Sequence, residues 1–444
     1  MDDIINITGI IGEKLFETIK TQASFSRELL NYSHFFFNGA FYAVLYIAFF
    51  VSMIYILISI IATFNKDKTH KELKFIEDKA PSVTVQIPTK NEIIALRCAK
   101  KCIDFDYPKN KFEILIGDDS DDSKVSKEIE EFATQYDMIH VFKRKNNKGF
   151  KPGNLNNLLK HSKGEILVIF DSDFIPERDF LRRIVTPFIH DKHISATQAR
   201  WEFINTRQNL NTVLAASIQY VFHYLFLPIM KKEGICSLCG SAEAVRKSDL
   251  IEYGGWASGS LTEDIEYTLR LHENGKKIVY LPNLLCYNEL PTTLMDLYRQ
   301  QMRWGYGVVD AYKNRYRTIL SSKKISTRQK VIAFSNAFGY IVPLLIGTLT
   351  TLGVLSFVTH PPGPIDIQLF VTETGRNIIL TFGLIVASGF ALYKAKKTDL
   401  FLKMLISSFT IGLVVTFYVN KGILKAISNK PMNWYLLKKS TSYM

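Results

Sequence analysis

Two carboxylates separated by one residue, Asp171 and Asp173, follow the apolar run EILVIF. The run is typical of a buried strand, so the pair is expected near a strand end. Asp118 and Asp119 end another such run. Paired carboxylates without a neighbouring His or Cys suit a hard divalent cation such as Mg²⁺ or Mn²⁺, which in turn binds phosphate oxygens. A solvated turn is the plain alternative, and the DSD motif alone does not decide.

A Gly/Pro/Asn-rich loop, KGFKPGNLN, lies between these two acidic pairs. Lys148 and Lys151, with Asn154 shortly after them, can bring ammonium groups and backbone amides to a phosphate at a helix start. The loop is not the GxxxxGK[ST] motif, which disfavours a nucleotide triphosphatase of that class. An exposed turn that caps a helix is the alternative.

The stretch LTEDIEYTLRL predicts a helix start, with Thr262 as the N-cap and Glu263 and Asp264 in the first turn. The helix dipole favours acids in a first turn for structural reasons alone. A carboxylate at such a position can also act as a general base towards a hydroxyl group. Both interpretations stay open at this point.

The stretch MDLYRQQMRWGYG carries polar and aromatic groups at helical spacing. In a helix, Gln300, Arg303 and Trp304 share one face because they lie at i, i+3 and i+4. That face offers hydrogen-bond donors for a diphosphate leaving group and a flat surface for a sugar ring. Gly305 and Gly307 are expected to end the helix.

The elements that position these groups are short β-rich runs that alternate with helical stretches. The predicted strands are Val83–Ile87, Phe112–Gly117, Ile139–Lys143 and Glu165–Phe170. Such alternation predicts a parallel α/β sheet. Ligands bind at the carboxyl ends of the strands in these sheets, where the sequence has PTKNE, DDSDD and DSD.

Long apolar runs flank this middle segment. Ala40–Phe64 is uncharged and long enough to cross a bilayer. Its acidic leading flank and lysine-rich trailing flank predict a cytoplasmic middle segment. Val331–Phe357, Ile378–Leu392 and Phe401–Val419 are further candidates. Four crossings from an outside start conflict with the basic C-terminal flank, so one run is re-entrant or interfacial, or a crossing is miscounted. The stripe in Leu210–Met230 fits core and membrane interface equally.

The composition of the chain argues against a nucleic-acid-binding protein, a disulfide-rich protein and a zinc site. The 444 residues carry a net charge of +13, but much of it lies beside the apolar runs, where anionic headgroups explain it better than nucleic acid does. Five cysteines give no disulfide framework, which favours a reducing compartment. Cys236 and Cys239 have CxxC spacing but no second pair or nearby His, so zinc is disfavoured.

Taken in order, PTKNE, DDS, KPGNLN, DSD, QARW, CGSAEAVRK, TED and QQMRW resemble the membrane-bound family-2 glycosyltransferases, which include cellulose, hyaluronan and glucomannan synthases. The similarity covers about Val83 to Tyr306, together with the flanking spans. The resemblance implies an α/β GT-A-like catalytic domain with a Rossmann-like mixed sheet, combined with an α-helical transmembrane domain.

The resemblance also implies roles for individual residues. Those expected to bind the nucleotide sugar are Thr89, Glu92, Asp118, Asp119, Lys151, Asn154 and Asp171. Asp171 and Asp173 would hold Mg²⁺ or Mn²⁺, and Asp264 would be the catalytic base, with Glu263 beside it. The expected acceptor-binding residues are Cys239, Gly240, Ser241, Gln300, Arg303 and Trp304.

The sequence therefore predicts an inverting glycosyltransferase that takes a UDP- or GDP-sugar and extends a β-linked polysaccharide at the membrane. Transfer of a single sugar to a lipid acceptor of polyprenyl phosphate, sterol or ceramide type is an alternative. A membrane protein that binds or transports nucleotide sugars without catalysis is a further one. With only one clear span before the catalytic segment, the chain departs from cellulose synthases, so a polymer channel stays an open question. No nucleic-acid partner is expected.

The predicted organisation is a multi-pass protein of the cell membrane, in contact with its lipids. The predicted segments are an extracytoplasmic segment at 1–39, a transmembrane helix at 40–64, a cytosolic GT-A domain at 65–330 with interfacial helices at about 208–230 and 294–312, a transmembrane region of about three helices at 331–420 and a basic tail at 421–444.

Overall fold

The computed structural model describes residues 2–64, 73–359 and 367–435. The chain divides into two compact units, one formed by Met1–Tyr55 and Val342–Leu384 and the other by Ile56–Ile341 and Ile385–Met444. The lysine-rich flank at 65–72 and residues 436–444 of the predicted basic tail lie outside the described residues.

The second unit is built on one sheet of eight strands. The strands are β1 (Val83–Thr89), β2 (Phe112–Asp118), β3 (Ile139–Lys143), β4 (Ile166–Ile169), β5 (Ile175–Pro176), β6 (Ile194–Phe203), β7 (Glu243–Arg246) and β8 (Lys277–Asn288). Their order in the sheet is β3-β2-β1-β4-β7-β6-β8-β5. The four predicted strands are present, with ends that differ from prediction by at most two residues.

The sheet is mixed, so the purely parallel sheet that the alternation of runs suggested is wrong, while the mixed fold class implied by the resemblance is confirmed. Strands β1 to β4 are parallel to one another, as expected from helical crossovers. β7 runs antiparallel to both β4 and β6. The sequence interpretation missed β7 because EAVR is short and lies inside a polar motif.

Helices precede, separate and follow the strands along the chain. In chain order they are α1 (Asp2–Phe64), α2 (Ala95–Ile103), α3 (Ser123–Ala133), α4 (Phe150–His161), α5 (Phe180–His190), α6 (Leu210–Val221), α7 (Leu227–Lys232), α8 (Lys247–Glu252), α9 (Glu263–Glu273), α10 (Leu294–Ser321), α11 (Thr327–Ala333), α12 (Ser335–Phe338), α13 (Ile341–Thr359), α14 (Ile367–Thr381), α15 (Gly383–Lys394), α16 (Phe401–Phe409) and α17 (Ile411–Ile427). A π-helical turn, Phe222–Phe226, joins α6 to α7.

The main core of this unit holds β4, β6, β7 and β8 against α4, α7, α8 and α9. Leu167, Val245 and Tyr280 from the strands meet Leu155 and Leu271 from the helices there, and all five side chains are buried. These strands present apolar residues to the helices, so burial of apolar surface fixes the positions of α4 and α9. The starts of both helices lie at the candidate site.

The apolar stripe predicted in Leu210–Met230 is largely core. Val213 and Leu225 are fully buried, whereas Ile218 is 38% exposed. This stretch also packs against α16 of the same unit. Burial within the protein favours core for most of its length, and the predicted interfacial position stays a prediction.

The expectation that Gly305 and Gly307 end their helix is wrong, since α10 continues to Ser321. The two glycines lie where neighbouring elements come closest. A Cβ on Gly305 would lie 3.2 Å from Val419, and one on Gly307 would lie 2.5 Å from Thr262. A helical glycine costs about 1 kcal/mol relative to alanine, and close packing on both sides offsets that cost.

The first unit contains most of α1 together with α13 and α14. His34 Nδ1 lies 3.0 Å from the carbonyl oxygen of Ser356, and the backbone N–H of Gly383 donates to Ser52 Oγ at 2.8 Å. α1 is one helix from Asp2 onward, so the structure has no break at the predicted boundary between 39 and 40.

Several helices are long and apolar enough to cross a membrane. Within the described residues, Lys20–Phe64, Leu210–Lys232 and Ile341–Thr359 meet this criterion. Two further bent pairs, Ile367–Thr381 with Gly383–Lys394 and Thr398–Phe409 with Ile411–Ile427, would raise the number to five if each is one span. The predicted runs thus correspond to helices. α17 extends into the region that was predicted to be a tail.

Candidate active site

A cavity of about 500 Å³ opens at the carboxyl ends of β1, β2, β4 and β8, beside the starts of α4 and α9 and one face of α10. This is the sheet edge that the strand-end motifs predicted. The predicted residues that line it are Thr89, Glu92, Asp119, Lys151, Asn154, Asp171, Asp173, Cys239, Gly240, Glu263, Asp264, Gln300, Arg303 and Trp304. Residues remote in sequence therefore converge in one place.

Two predicted residues do not line the cavity. The Asp118 carboxylate is fully buried and accepts hydrogen bonds from the Ser120 backbone N–H, at 2.9 Å, and from the Ser126 hydroxyl. These contacts fix the turn after β2, and the expected contact of Asp118 with the nucleotide sugar stays a prediction. Ser241 is also buried, and its Oγ accepts from the Asp171 backbone N–H at 2.8 Å.

Asp119 is held by an arginine that the sequence interpretation did not single out. Arg144 Nε donates to Asp119 Oδ1 at 2.8 Å, and Arg144 Nη2 reaches the other carboxylate oxygen. Arg144 also donates to the carbonyl oxygens of Lys148 and Phe150, at 2.8 and 3.3 Å. One guanidinium thus joins the acidic end of β2 to the Gly/Pro/Asn-rich loop. No motif marks Arg144, because its partners lie on separate elements.

Lys151 is the central cation of the site. Its Nζ lies 2.7 Å from Asp171 Oδ1 and 3.0 Å from Glu263 Oε1, and it donates to the Gly240 carbonyl oxygen at 2.6 Å. Burial lowers the pKa of Lys151, but the charges of Asp171 and Glu263 outweigh burial and hold the pKa above its ordinary value. The ammonium group therefore stays charged and holds three segments of the cavity wall together.

Two acidic groups near Lys151, Asp264 and Glu243, bind protons more tightly than isolated carboxyls do. Burial raises the pKa of Asp264 to about 7, and the neighbouring charge of Glu263 adds to the rise. Burial likewise raises the pKa of Glu243 to about 8, with Asp264 as the next cause. An acid whose pKa lies near neutrality is suited to accept a proton from a hydroxyl group.

The side chains of Glu243 and Gln198 fix the backbone of the loop that carries Cys239 and Gly240. Glu243 Oε2 accepts from the backbone N–H groups of both residues, at 3.2 and 2.9 Å, and Gln198 Oε1 accepts from the Cys239 N–H at 2.8 Å. Gly240 has φ +84°, and a Cβ there would lie 3.4 Å from Asp264 Oδ2 and 3.6 Å from Lys151 Nζ. Glycine therefore lets backbone approach the base candidate and the central cation.

Asp173 forms hydrogen bonds with both members of a buried ion pair, Arg97 and Glu289. Arg97 Nη1 lies 2.9 Å from Glu289 Oε1, and Arg97 Nη2 donates to the Asp173 carbonyl oxygen at 2.9 Å. The Glu289 backbone N–H donates to Asp173 Oδ2 at 3.2 Å. Removing one partner of a buried pair is costly, so Arg97 fixes the end of the DSD turn.

The helix face predicted for α10 is present, and residues from the end of the described chain cover it. Arg303 Nη1 donates to the Leu261 carbonyl oxygen at 3.0 Å, and its guanidinium carbon lies 4.2 Å from the ring centre of Trp434. Trp434 and Tyr435 both line the cavity. The sequence interpretation placed these two aromatic residues in a basic tail and missed them, since no motif marks NWY.

Two side-chain amide oxygens in the cavity wall are available to accept hydrogen bonds from a ligand. The side-chain oxygens Oδ1 of Asn154 and Asn288 are buried and have no hydrogen-bond partner among the described residues.

A metal ion would be held by few protein ligands. Among the residues that the structure describes, no group of three or more His, Cys, Asp or Glu side chains is arranged to hold a metal ion. Mg²⁺ commonly takes one or two carboxylates and completes its shell with water and substrate phosphates. Asp171 and Asp173 fit a cation of that kind.

Comparison with known families shows to which family the chain belongs. Residues 80–307 match the family described as "Glycosyltransferase like family 2", and residues 228–396 match "Cellulose synthase". The chain belongs to the family-2 glycosyltransferases. The matched residues include all of the predicted site, from Thr89 to Trp304, and the cellulose synthase match continues through α15.

Similar proteins include two plant enzymes. The chain is 31% identical to glucomannan 4-beta-mannosyltransferase 1 of Oryza sativa subsp. japonica, over 58% of this chain and 51% of that protein. It is also 31% identical to glucomannan 4-beta-mannosyltransferase 2 of Arabidopsis thaliana, over 61% of this chain and 52% of that protein. The chain thus spans about half the length of these relatives.

Among solved structures, a mannosyltransferase from Pyrobaculum calidifontis in complex with GDP-Man and Mn²⁺ is similar, with a TM-score of 0.58 and 17% identity. The match covers 90% of this chain and all of that one. The likeness shows the fold, which is GT-A-like.

Proposed function

We propose that the protein is a glycosyltransferase that transfers a hexose from a nucleoside-diphosphate sugar to a β-linked glycan. The observation that carries this proposal is the convergence of Lys151, Asp171 and Asp264 with Arg303 and Trp304 in one cavity. Such a cavity offers cationic groups for a departing diphosphate beside a base for the incoming hydroxyl. The names of the plant relatives support a mannosyl donor as the first to test.

The donor half of the cavity would hold the nucleotide diphosphate between Asp119, Asp171 and Lys151. Lys151 presents an ammonium that already neutralises two carboxylates, so it is positioned to share its charge with phosphate oxygens. The neighbouring amide oxygens of Asn154 and Asn288 are available to sugar or ribose hydroxyls. A Mg²⁺ or Mn²⁺ ion bound by Asp171 and Asp173 would supply further neutralisation of the diphosphate.

Transfer would proceed by one displacement with inversion. Asp264 removes the proton of the acceptor hydroxyl, and the freed oxygen forms a bond to the anomeric carbon as the bond to the diphosphate oxygen breaks. The electron pair of that bond leaves with the nucleoside diphosphate, whose charge Lys151 and Arg303 offset. The raised pKa of Asp264 makes this proton transfer favourable near neutral pH.

The acceptor would enter past Gln300, Arg303 and Trp304. All three line the cavity from α10, and the indole offers a flat apolar face of the kind that packs against a sugar ring. The lysine-rich flank and the candidate spans support a cytosolic site on a membrane protein, where nucleotide sugars and a membrane-bound or exported acceptor meet.

The direct test is release of nucleoside diphosphate by the purified full chain. GDP-mannose, GDP-glucose, UDP-glucose and UDP-N-acetylglucosamine are supplied with Mn²⁺ or Mg²⁺ and with β-linked oligosaccharides and a polyprenyl phosphate as acceptors, and a chelator provides the metal-free arm. Release from at least one donor, and a large reduction with chelator, is the expected result. No release from any donor by the folded protein would remove the proposal.

Separate experiments test which residue is the catalytic base and what the product is. Asp264→Asn is expected to abolish transfer, while Asp310→Asn, the same change on the part of α10 outside the cavity, is the matched control. Undiminished transfer by Asp264→Asn would favour a protein that binds nucleotide sugars without this chemistry. A radiolabelled ladder or high polymer would support glycan extension, whereas one organic-extractable product would identify a lipid acceptor.

A further inference from the structure

Trp434 lies between the two halves of the cavity. Its ring stacks on that of Phe150, with centres 6.1 Å apart and planes 22° apart, and the Arg303 guanidinium carbon lies 4.2 Å from its centre. Phe150 begins α4, next to Lys151 of the Gly/Pro/Asn-rich loop, and Arg303 belongs to α10. The indole therefore touches both the proposed donor side and the proposed acceptor side.

The backbone at Phe150 adopts a strained conformation. Phe150 has φ +54°, which is unusual for a bulky side chain, and the preceding Gly149 has φ +81°. Strained backbone of this kind persists where surrounding contacts fix it and is frequent at functional sites. The Arg144 contact to the Phe150 carbonyl oxygen is one such constraint.

The segment that leads to Trp434 is anchored at two points before the indole. Lys313 Nζ donates to Asn429 Oδ1 at 2.6 Å, just beyond the end of α17. Met432 is buried against Leu261 and Met302. The chain just before the indole is thus held by contacts with Lys313, Leu261 and Met302.

These contacts form a continuous series. Asp119 binds Arg144, Arg144 binds the Phe150 carbonyl, and the Phe150 ring meets Trp434. On the other side, Trp434 meets the Arg303 guanidinium, and Arg303 donates to the Leu261 carbonyl. Leu261 immediately precedes the TED motif, so the series runs from the nucleotide end of the cavity to the base helix.

We propose that Trp434 is a positioning residue that holds the Arg303 guanidinium in the cavity and links it to the donor loop through Phe150. The proposal rests on the proposed transferase function and adds a residue to it. The aromatic face replaces water on one side of the guanidinium and favours its charge, an interaction that strengthens when desolvated. Arg303 is thereby oriented towards the diphosphate before a donor binds.

Two substitutions of similar apolar character separate this role from simple packing. Trp434→Phe keeps an aromatic face for Arg303, whereas Trp434→Leu keeps bulk and removes the ring. We expect Trp434→Leu to lower kcat about ten-fold with the donor KM changed less than two-fold, the scale of one lost cation–π contact. Trp434→Phe should retain most of the turnover. Melting temperatures of both variants check that each is folded.

A double-mutant cycle tests whether the effect passes through Arg303. Adding Trp434→Leu to Arg303→Gln should cost no further turnover, because the guanidinium is already absent. Tyr316→Leu is the matched control, since it removes an exposed ring on α10 whose centre lies 5.6 Å from the Arg317 guanidinium carbon, outside the cavity. That control should leave turnover within about two-fold of wild type, since surface changes away from the site are usually small.

The outcomes separate the two proposals. Wild-type protein that turns over no donor removes the transferase function, and this inference with it. An active wild type in which Trp434→Leu and Trp434→Phe behave alike would overturn the inference alone. Losses from Trp434→Leu and Arg303→Gln that multiply in the double variant would also overturn it, because the two residues would then act independently.

Discussion

A Cβ atom on Gly307 would lie 2.5 Å from Cγ2 of Thr262, so α10, the helix of the QQMRW motif, touches the N-cap position of α9 with no room for a side chain. Thr262 immediately precedes Glu263 and Asp264. The two motifs are therefore positioned against each other directly, by contact between one glycine and one threonine.

Gly307→Ala should disturb the start of α9. Overpacking of this kind typically costs about 1–3 kcal/mol of unfolding free energy, and a displaced Asp264 should also reduce turnover. Urea unfolding and donor turnover are the measurements. Gly375→Ala is the control, because that helical glycine has nothing within 4 Å of a new Cβ, and alanine there should be neutral or slightly stabilising. Equal stability of the two variants would contradict the contact.

The pH dependence of transfer should report the Asp264 carboxyl. Its pKa of about 7 means that the group is protonated, and unable to accept a proton, in acid. We expect kcat/KM to fall about ten-fold per pH unit below about pH 7, the slope of one ionisation. Because Glu263 raises the Asp264 pKa, Glu263→Gln should move this limb to lower pH. A profile that is level down to pH 5.5 would exclude Asp264 as the base.

Removing the central cation should affect stability and activity together. Lys151→Met leaves the carboxylates of Asp171 and Glu263 without their ion-pair partner, and breaking a buried pair commonly costs about 3–5 kcal/mol. Since Asp171 is partly exposed, we expect the lower end of that range, with turnover reduced at least about a hundred-fold, as for other lost transition-state contacts to charge. Lys160→Met is the same change on the exposed side of α4 and should have little effect on either quantity.

Glu243 should make the protein less stable as pH rises. Its folded pKa of about 8 lies above the ordinary value of 4.5, so the folded state binds a proton that the unfolded chain has released between these values. The free energy of unfolding should therefore decrease through this window as pH increases. Glu243→Gln removes its own titration and should reduce this slope, while the part due to Asp264 remains, measured by denaturant unfolding between pH 5 and 8. An unchanged slope would show that Glu243 is not the group responsible.

The sequence predicted the parts of the site that depend on local pattern. Gln300, Arg303 and Trp304 share a face because helical spacing requires it, and Asp171 follows a strand because EILVIF can only be buried. Contacts between distant elements were not predictable in this way. Arg144 has no motif, yet it binds Asp119 across the loop. Gly307 was interpreted through its local tendency to end helices, whereas its neighbour in space is Thr262, 45 positions earlier.

The position of Trp434 has a consequence for biosynthesis. Lys151, Asp264 and Arg303 all leave the ribosome before the candidate membrane helices between residues 341 and 427 have been made. The indole that faces Arg303 is made only after those helices, so a growing polypeptide lacks this part of the cavity wall until all of them have been synthesised.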